Sequence, residues 1–168
     1  MAWAQARSNL RMASNGDTPG VIAPPPLLFF GALAAAAAVD FGLVRVPTGL
    51  PRALRLGAGA VFAAAAVGLA AAALWRFRRA GTAAEPWRPS TTLVKDGVYR
   101  FTRNPMYMAM ALLYLGLALA VDSGVALLLL LPLLALVQAG VISREERYLE
   151  GKFGDEYRRY RATVRRWI

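Results

Sequence analysis

Residues 106–142, MYMAMALLYLGLALAVDSGVALLLLLPLLALVQAGVI, decide the fold class. Two apolar runs, Met106 to Val121 and Val125 to Ile142, carry no charge and are separated by Asp122, Ser123 and Gly124 alone. Their 16 and 18 residues would reach ~24 and ~27 Å as helices, close to the hydrocarbon thickness of a bilayer. The short link then makes them the arms of a tight antiparallel helical hairpin. Pro132 is expected to kink the second arm.

Two more spans lie upstream. Pro24, Pro25 and Pro26 precede the apolar run Leu27 to Val44, a turn-like stretch follows at Pro47 to Pro51, and Leu54 to Leu74 is long enough to cross back. This second run ends in Trp75, Arg76, Phe77, Arg78 and Arg79, an aromatic and basic terminus of the kind found at a cytoplasmic interface. Residues 80–104 are polar, with Gly81, Pro86, Pro89 and Gly97, and form a loop. The expected fold is therefore an all-α integral membrane protein with four transmembrane helices. Residues 1–20 read as a disordered cytoplasmic tail and 21–168 as a single domain. The charged segment Ser143 to Ile168 places Phe153, Tyr157, Tyr160, Val164 and Trp167 at helical spacing opposite an arginine-rich face, the pattern of an interfacial C-terminal helix.

The composition agrees. Of 168 residues, 57% are hydrophobic and 18% charged, and the charges fall in blocks between the apolar runs. Seventeen of the 20 Lys and Arg residues lie in the tail, between the second and third apolar runs (Arg76 to Arg103) and in the C-terminal segment; the other three are Arg45, Arg52 and Arg55. That asymmetry puts both termini on the cytoplasmic side of an inner membrane and accounts for the net charge of +10 without nucleic acid, for which no binding module is present. The Ala- and Gly-rich first and second runs permit close packing, with a neighbouring helix or another copy, which leaves the oligomeric state open. With neither Cys nor His, the chain has no thiolate nucleophile, imidazole base or Cys/His metal site; any catalysis rests on carboxylates, Arg, Lys, Tyr, backbone dipoles and a bound cofactor.

Two polar constellations remain on the cytoplasmic side. The first is Gly97-Val98-Tyr99-Arg100-Phe101-Thr102-Arg103-Asn104-Pro105-Met106-Tyr107. Asn104 is suited to cap a helix that has Pro105 at its first position, and the free N–H groups there, with Arg103 and Arg100, would form a positive pocket for a carboxylate or phosphate. The alternative is a helix cap with interfacial anchors. The second constellation is Arg144-Glu145-Glu146. Arms of similar length return the end of the fourth segment to the level where the third begins, so Glu145 and Glu146 should approach Arg103, Asn104 and Tyr107, with Tyr107, Ala111 and Tyr114 on one face below. Alternatively both carboxylates are solvated and pair weakly with Arg144 or Arg147. Asp40, near the end of the first run, is expected to reach water and to be functionally silent. Leu56-Gly57-Ala58-Gly59-Ala60 reads as close helix packing. Trp87, Lys95 and Asp96 either line a loop over the site or anchor it.

These residues in this order resemble the integral membrane methyltransferases typified by isoprenylcysteine carboxyl methyltransferase and phospholipid methyltransferase. The resemblance covers about residues 90–168 and rests on Gly97-Val98-Tyr99-Arg100, Arg103-Asn104-Pro105-Met106-Tyr107, Arg144-Glu145-Glu146 and Phe153-Gly154-Asp155-Glu156-Tyr157. The family pattern is Arg-His-Pro-x-Tyr-x-Gly, a hydrophobic stretch, then Glu-Glu; here Asn104 stands in place of His and Ala109 in place of Gly. The resemblance implies S-adenosylmethionine as cofactor, held by Tyr99, Arg103, Asn104, Pro105, Tyr107, Glu145 and Glu146, with Arg103, Tyr107 and Glu146 as the catalytic set and no metal. It further implies a lipophilic or lipid acceptor carrying a carboxylate, amine or thiol. Methyl transfer from a sulfonium requires in-line alignment and tolerance of a vanishing positive charge, which needs neither His nor Cys. Competing readings are an NADPH-dependent membrane reductase of the sterol reductase type, and a non-enzymatic protein that binds anionic membrane lipids through Arg158, Arg159, Arg161, Arg165 and Arg166.

Overall fold

The computed structural model describes residues 17–168, and every regular element among them is helical. Most of the expected N-terminal tail, residues 1–16, lies outside the described residues. α1 (Pro25–Gly42) starts on the proline run, where a missing N–H costs nothing. α2 (Arg52–Arg79) continues past the apolar run through Trp75 to Arg79, so that Arg76, Arg78 and Arg79 sit in its last turn beside the negative end of the helix dipole. One turn of 3₁₀ helix (Gly97–Arg100) precedes α3 (Pro105–Ala120), again opened by proline. α4 (Gly124–Val137) is capped by Ser123, whose Oγ accepts from the Ala126 N–H at 2.9 Å.

α1, α2 and the continuous helix that begins at Gly124 are long and apolar enough to cross a bilayer; α3 is a shorter apolar helix. Residues such as Phe30, Phe41, Val61, Val67, Leu128 and Leu131 are exposed on the outer faces, where lipid would cover them. Inside, Phe29 and Ala36 of α1 meet Tyr107, Tyr114 and Ala118 of α3 and Ala126, Leu133 and Val137 of α4.

α2 packs along α3 at a reciprocal glycine crossing. A Cβ on Gly59 would lie 2.8 Å from the Gly116 carbonyl oxygen, and one on Gly116 would lie 2.8 Å from that of Gly59. The expectation of close packing thus holds for Gly59, whereas Gly57 faces open space.

The C-terminal third departs from the expected single interfacial helix. The fourth segment does not stop at Ile142: it passes through a π-helical turn (Gln138–Ile142) directly into α5 (Ser143–Phe153). The Ser143 hydroxyl donates to the Gln138 carbonyl at 2.8 Å across this turn. Gly154, at φ 54°, then breaks the chain, a conformation that glycine adopts without a Cβ clash. α6 (Asp155–Thr163) follows and ends at Val164, whose backbone is extended; residues 164–168 are not helical. Trp167 therefore lies in a non-helical strap and shares no helical face with Phe153, Tyr157 and Tyr160.

At the end of α1, Asp40 also departs from expectation. It is 4% exposed rather than open to water: its carboxylate accepts from the Ser123 hydroxyl and from the Val46 N–H at 3.1 Å. Thr48 donates to Asp122 through its N–H at 2.9 Å and its hydroxyl at 2.7 Å. These bonds tie the 43–51 link to the 121–123 link. Asp40→Asn, which keeps an oxygen for the Val46 N–H and presents an amide N–H that can donate to the Ser123 Oγ, is expected to leave activity unchanged. Asp40→Ala strands a buried hydroxyl and N–H and should lower stability by about 1–3 kcal/mol. Thermal denaturation of both variants in detergent, alongside turnover, measures the difference.

Candidate active site

At the opposite end from Asp40, the start of α3, the start of α5 and the 80–104 loop enclose a cavity of about 290 Å³. Its polar wall is Tyr99, Arg103, Asn104, Tyr107, Glu145 and Glu146. Pro105 at the first position of α3 sets Tyr107 in the opening turn, and the first turn of α5 carries both glutamates. The apolar wall comes from Pro25 and Pro26 of α1, Leu74 and Phe77 of α2, and Met106 and Met110 of α3. All seven residues expected to hold a cofactor therefore line one cavity.

The two glutamates have different surroundings. The Tyr107 hydroxyl donates to Glu145 Oε1 at 2.5 Å. Glu146, 7% exposed, is an acceptor for arginines: Arg166 Nε to Oε1 at 2.9 Å, Arg166 Nη2 to Oε2 at 2.6 Å, and Arg103 Nη1 at 3.2 Å from Oε1. Both glutamates stand beyond Ile142, where the apolar part of the helix ends. Burial, reinforced by the neighbouring Glu146 charge, pushes the Glu145 carboxyl up to about 7 despite the opposing Tyr107 hydrogen bond.

Arg103 is held by Glu146 and by the Tyr157 hydroxyl, which accepts from Nη1 at 3.3 Å. Its side chain is 9% exposed, and its Nε has no hydrogen-bond partner among the described residues. A buried guanidinium with an unused donor on a cavity wall is a ready receptor for a carboxylate. Tyr157 is itself pushed up to about 12 by burial, so it stays a neutral hydroxyl.

Asn104 departs from its expected role. Its side chain makes no cap bond to α3; Nδ2 donates instead to the Arg166 carbonyl at 2.9 Å. The Thr102 hydroxyl donates to the same carbonyl at 3.1 Å, and the Arg103 N–H donates to the Arg165 carbonyl at 3.0 Å. The Arg166 carbonyl thus holds the Asn104 Nδ2 and fixes the side chain in an orientation in which its Oδ1 does not accept from the first N–H groups of α3. Arg100 does not join the positive pocket: it is exposed and lies with Lys95 and Arg159 along a separate surface groove.

Several contributors were not singled out as site residues. Tyr148 and Tyr157 line the cavity, and Arg166 anchors Glu146. Tyr148 accepts from the Ser90 N–H at 3.1 Å and donates to Asp17 at 2.9 Å, while Lys152 bonds Asp17 at 2.5 Å. Together with Arg144, which donates to the Gly20 carbonyl at 2.7 Å, these bonds hold residues 17–20 beside the site, where Pro19 joins its wall. In the loop, Trp87 lines the cavity; Lys95 and Asp96 are anchors, pairing with Glu156 at 2.5 Å and Arg76 at 2.6 Å. Of the five arginines proposed for a lipid face, Arg158 and Arg161 pair with acidic neighbours on α5 and α6, and Arg166 is committed to Glu146.

Comparison with known proteins places this arrangement. The phospholipid methyltransferase family model matches residues 54–156, more than half of the chain, and takes in α3, both glutamates and the covering loop. The chain belongs to the phospholipid methyltransferase family. Among relatives, an uncharacterized protein of Haemophilus influenzae is 43% identical over 63 residues, 38% of this chain and all of that protein. The protein-S-isoprenylcysteine O-methyltransferase of Schizosaccharomyces pombe is 36% identical over 72 residues, 43% of this chain and 30% of that protein. No solved structure matches. Family and apolar helices together make the protein an integral membrane methyltransferase of the phospholipid methyltransferase family.

Proposed function

We propose that this phospholipid methyltransferase family member transfers a methyl group from S-adenosylmethionine to a lipophilic acceptor that reaches the cavity from the bilayer. The observation that carries this reading is the pairing, on one cavity wall, of a buried Arg103 with an unused Nε and a Glu145 carboxyl oriented by Tyr107. An amino-acid moiety has one carboxylate and one ammonium, and these residues offer one complementary group for each. S-adenosylmethionine supplies an electrophilic methyl group when bound. The residues' part is to fix its ends, exclude water and align the acceptor.

The apolar wall from α1, α2 and α3 supports a lipophilic acceptor, since Leu74, Met106 and Met110 continue the cavity toward the membrane-facing part of the fold. A carboxylate acceptor needs no base. An amine or thiol acceptor loses a proton, which a Glu or a Tyr of the cavity wall must take.

In this reading the protein crosses an inner membrane four times, with α3 and α4 as an antiparallel hairpin and both termini cytoplasmic. Residues 21–168 form the single domain, with the cofactor region at about 90–168.

Titration calorimetry of detergent-purified protein tests the cofactor. S-adenosylmethionine and S-adenosylhomocysteine should each bind saturably, and NADPH should not. Binding of NADPH alone would move the protein to the reductases; binding of none by folded protein would leave anionic-lipid binding as the activity to pursue.

A further inference from the structure

The strap after α6 adds a residue to the site that neither the motif nor the family match contains, since the match ends at residue 156. Glu146 faces two arginines, and the three side chains sum to one positive charge. Arg166 takes Glu146 as a fork, one donor on each oxygen, whereas Arg103 reaches it through Nη1 alone. The fork therefore satisfies the carboxylate largely by itself and leaves Arg103, which lines the cavity, with a buried and unpaired Nε.

The strap is fixed independently at three further points. The Arg165 and Arg166 carbonyls accept from the 102–104 turn, and the Trp167 indole N–H donates to Gln138 Oε1 at 2.9 Å, inside the π-helical turn that leads into α5. Arg166 thus approaches Glu146 from a strap clamped to both elements that carry the site.

We propose that Arg166 is a positioning residue: by neutralising Glu146 it keeps the positive charge of Arg103 directed into the cavity for a ligand carboxylate. Without Arg166, Arg103 and Glu146 become a one-to-one pair of zero net charge, and the guanidinium turns further onto that carboxylate. The inference rests on the methyltransferase reading above, in which Arg103 receives the carboxylate of the cofactor.

The test compares two ligands that differ by one group, S-adenosylhomocysteine and its decarboxylated analogue, by titration calorimetry on the full chain in detergent. Arg166→Gln should weaken S-adenosylhomocysteine on the order of tenfold and leave the decarboxylated analogue within about twofold. Arg166→Lys, which restores charge without the fork, should recover part of the loss. Trp167→Phe, which loosens the strap but keeps Arg166, should not discriminate between the ligands. Because the readout is a ratio of affinities measured on the folded fraction, partial unfolding of a variant does not mimic it. Equal weakening of both ligands in Arg166→Gln, or none, would overturn the proposal while the cofactor assignment stands. Wild-type protein that binds neither ligand would overturn the cofactor reading and this inference with it.

Discussion

Arg103→Ala is expected to weaken S-adenosylhomocysteine binding by about a hundredfold or more, or roughly 2.7 kcal/mol, and to abolish measurable methyl transfer, while the protein still accumulates folded in the membrane. The two halves of this expectation have different causes. The Arg103 side chain is 9% exposed, lines the cavity and has a buried, unpaired Nε, so truncation removes a desolvated positive charge where a ligand carboxylate would have no water to replace it. Folding tolerates the loss because Glu146 keeps its two-point contact with Arg166 at 2.9 and 2.6 Å, leaving no uncompensated buried carboxylate. The Tyr157 hydroxyl gives up one donor, a small cost for a group that can turn. Arg103→Lys should rescue only partly, since an ammonium cannot bond Glu146, Tyr157 and a ligand with the geometry of a planar fork. Binding measured with S-adenosylhomocysteine, alongside turnover and the monodisperse yield of each variant, separates the cases. Unchanged affinity in Arg103→Ala would remove Arg103 from the site; a variant that fails to fold would show its charge to be structural.

Much of this site is legible in the sequence, and the parts that are not have identifiable reasons. Apolar runs bounded by prolines and charges locate α1 to α4 within a few residues, because bilayer-length helices leave strong compositional edges. Arms of similar length bring Glu145 and Glu146 to Tyr107 and Arg103 by geometry alone. What the pattern does not reveal is which glutamate bonds Tyr107 and which bonds the arginines. The π-helical turn Gln138–Ile142 is the cause: one extra residue in a turn rotates everything after it by about 100°, so the phase of α5 does not follow from the apolar periodicity of α4. Arg166 is hidden for a second reason. It acts from a non-helical strap on residues 20 and 62 positions earlier, and in a segment dense with arginine its number in the chain carries no local signature. Asn104 shows the same competition from the other side: a residue type with strong cap preference was drawn off by a carbonyl that arrives from far along the chain. The break at Gly154 was visible as a glycine, yet the aromatic spacing ran on across it as if the helix continued.

The second large effect concerns Glu145 and is best read against pH. Burial, with the adjacent Glu146 charge, pushes its carboxyl up to about 7. If ionised Glu145 receives the cofactor ammonium, each unit of pH below 7 should cost about tenfold in affinity for S-adenosylhomocysteine, and above about pH 8 affinity should level off. The sign for folding is opposite. A carboxyl whose folded value, about 7, exceeds its ordinary 4.5 holds its proton more tightly in the folded chain, so the ligand-free protein should lose stability as pH rises from 4.5 to 7. Binding and stability of the empty site therefore move against each other over the same window, a combination that a surface carboxylate would not give. Glu145→Gln should flatten both profiles, lowering affinity at pH 8 by about a hundredfold while removing the stability lost by the wild type on ionisation. Tyr107→Phe separates the two roles of the hydroxyl. It removes the bond at 2.5 Å that favours the ionised form, so the midpoint of the binding profile should shift upward with its slope kept. Calorimetric affinities and melting temperatures from pH 5 to 9 measure all three proteins; a wild-type binding profile that is flat across pH 7 would show that the cofactor ammonium does not depend on Glu145.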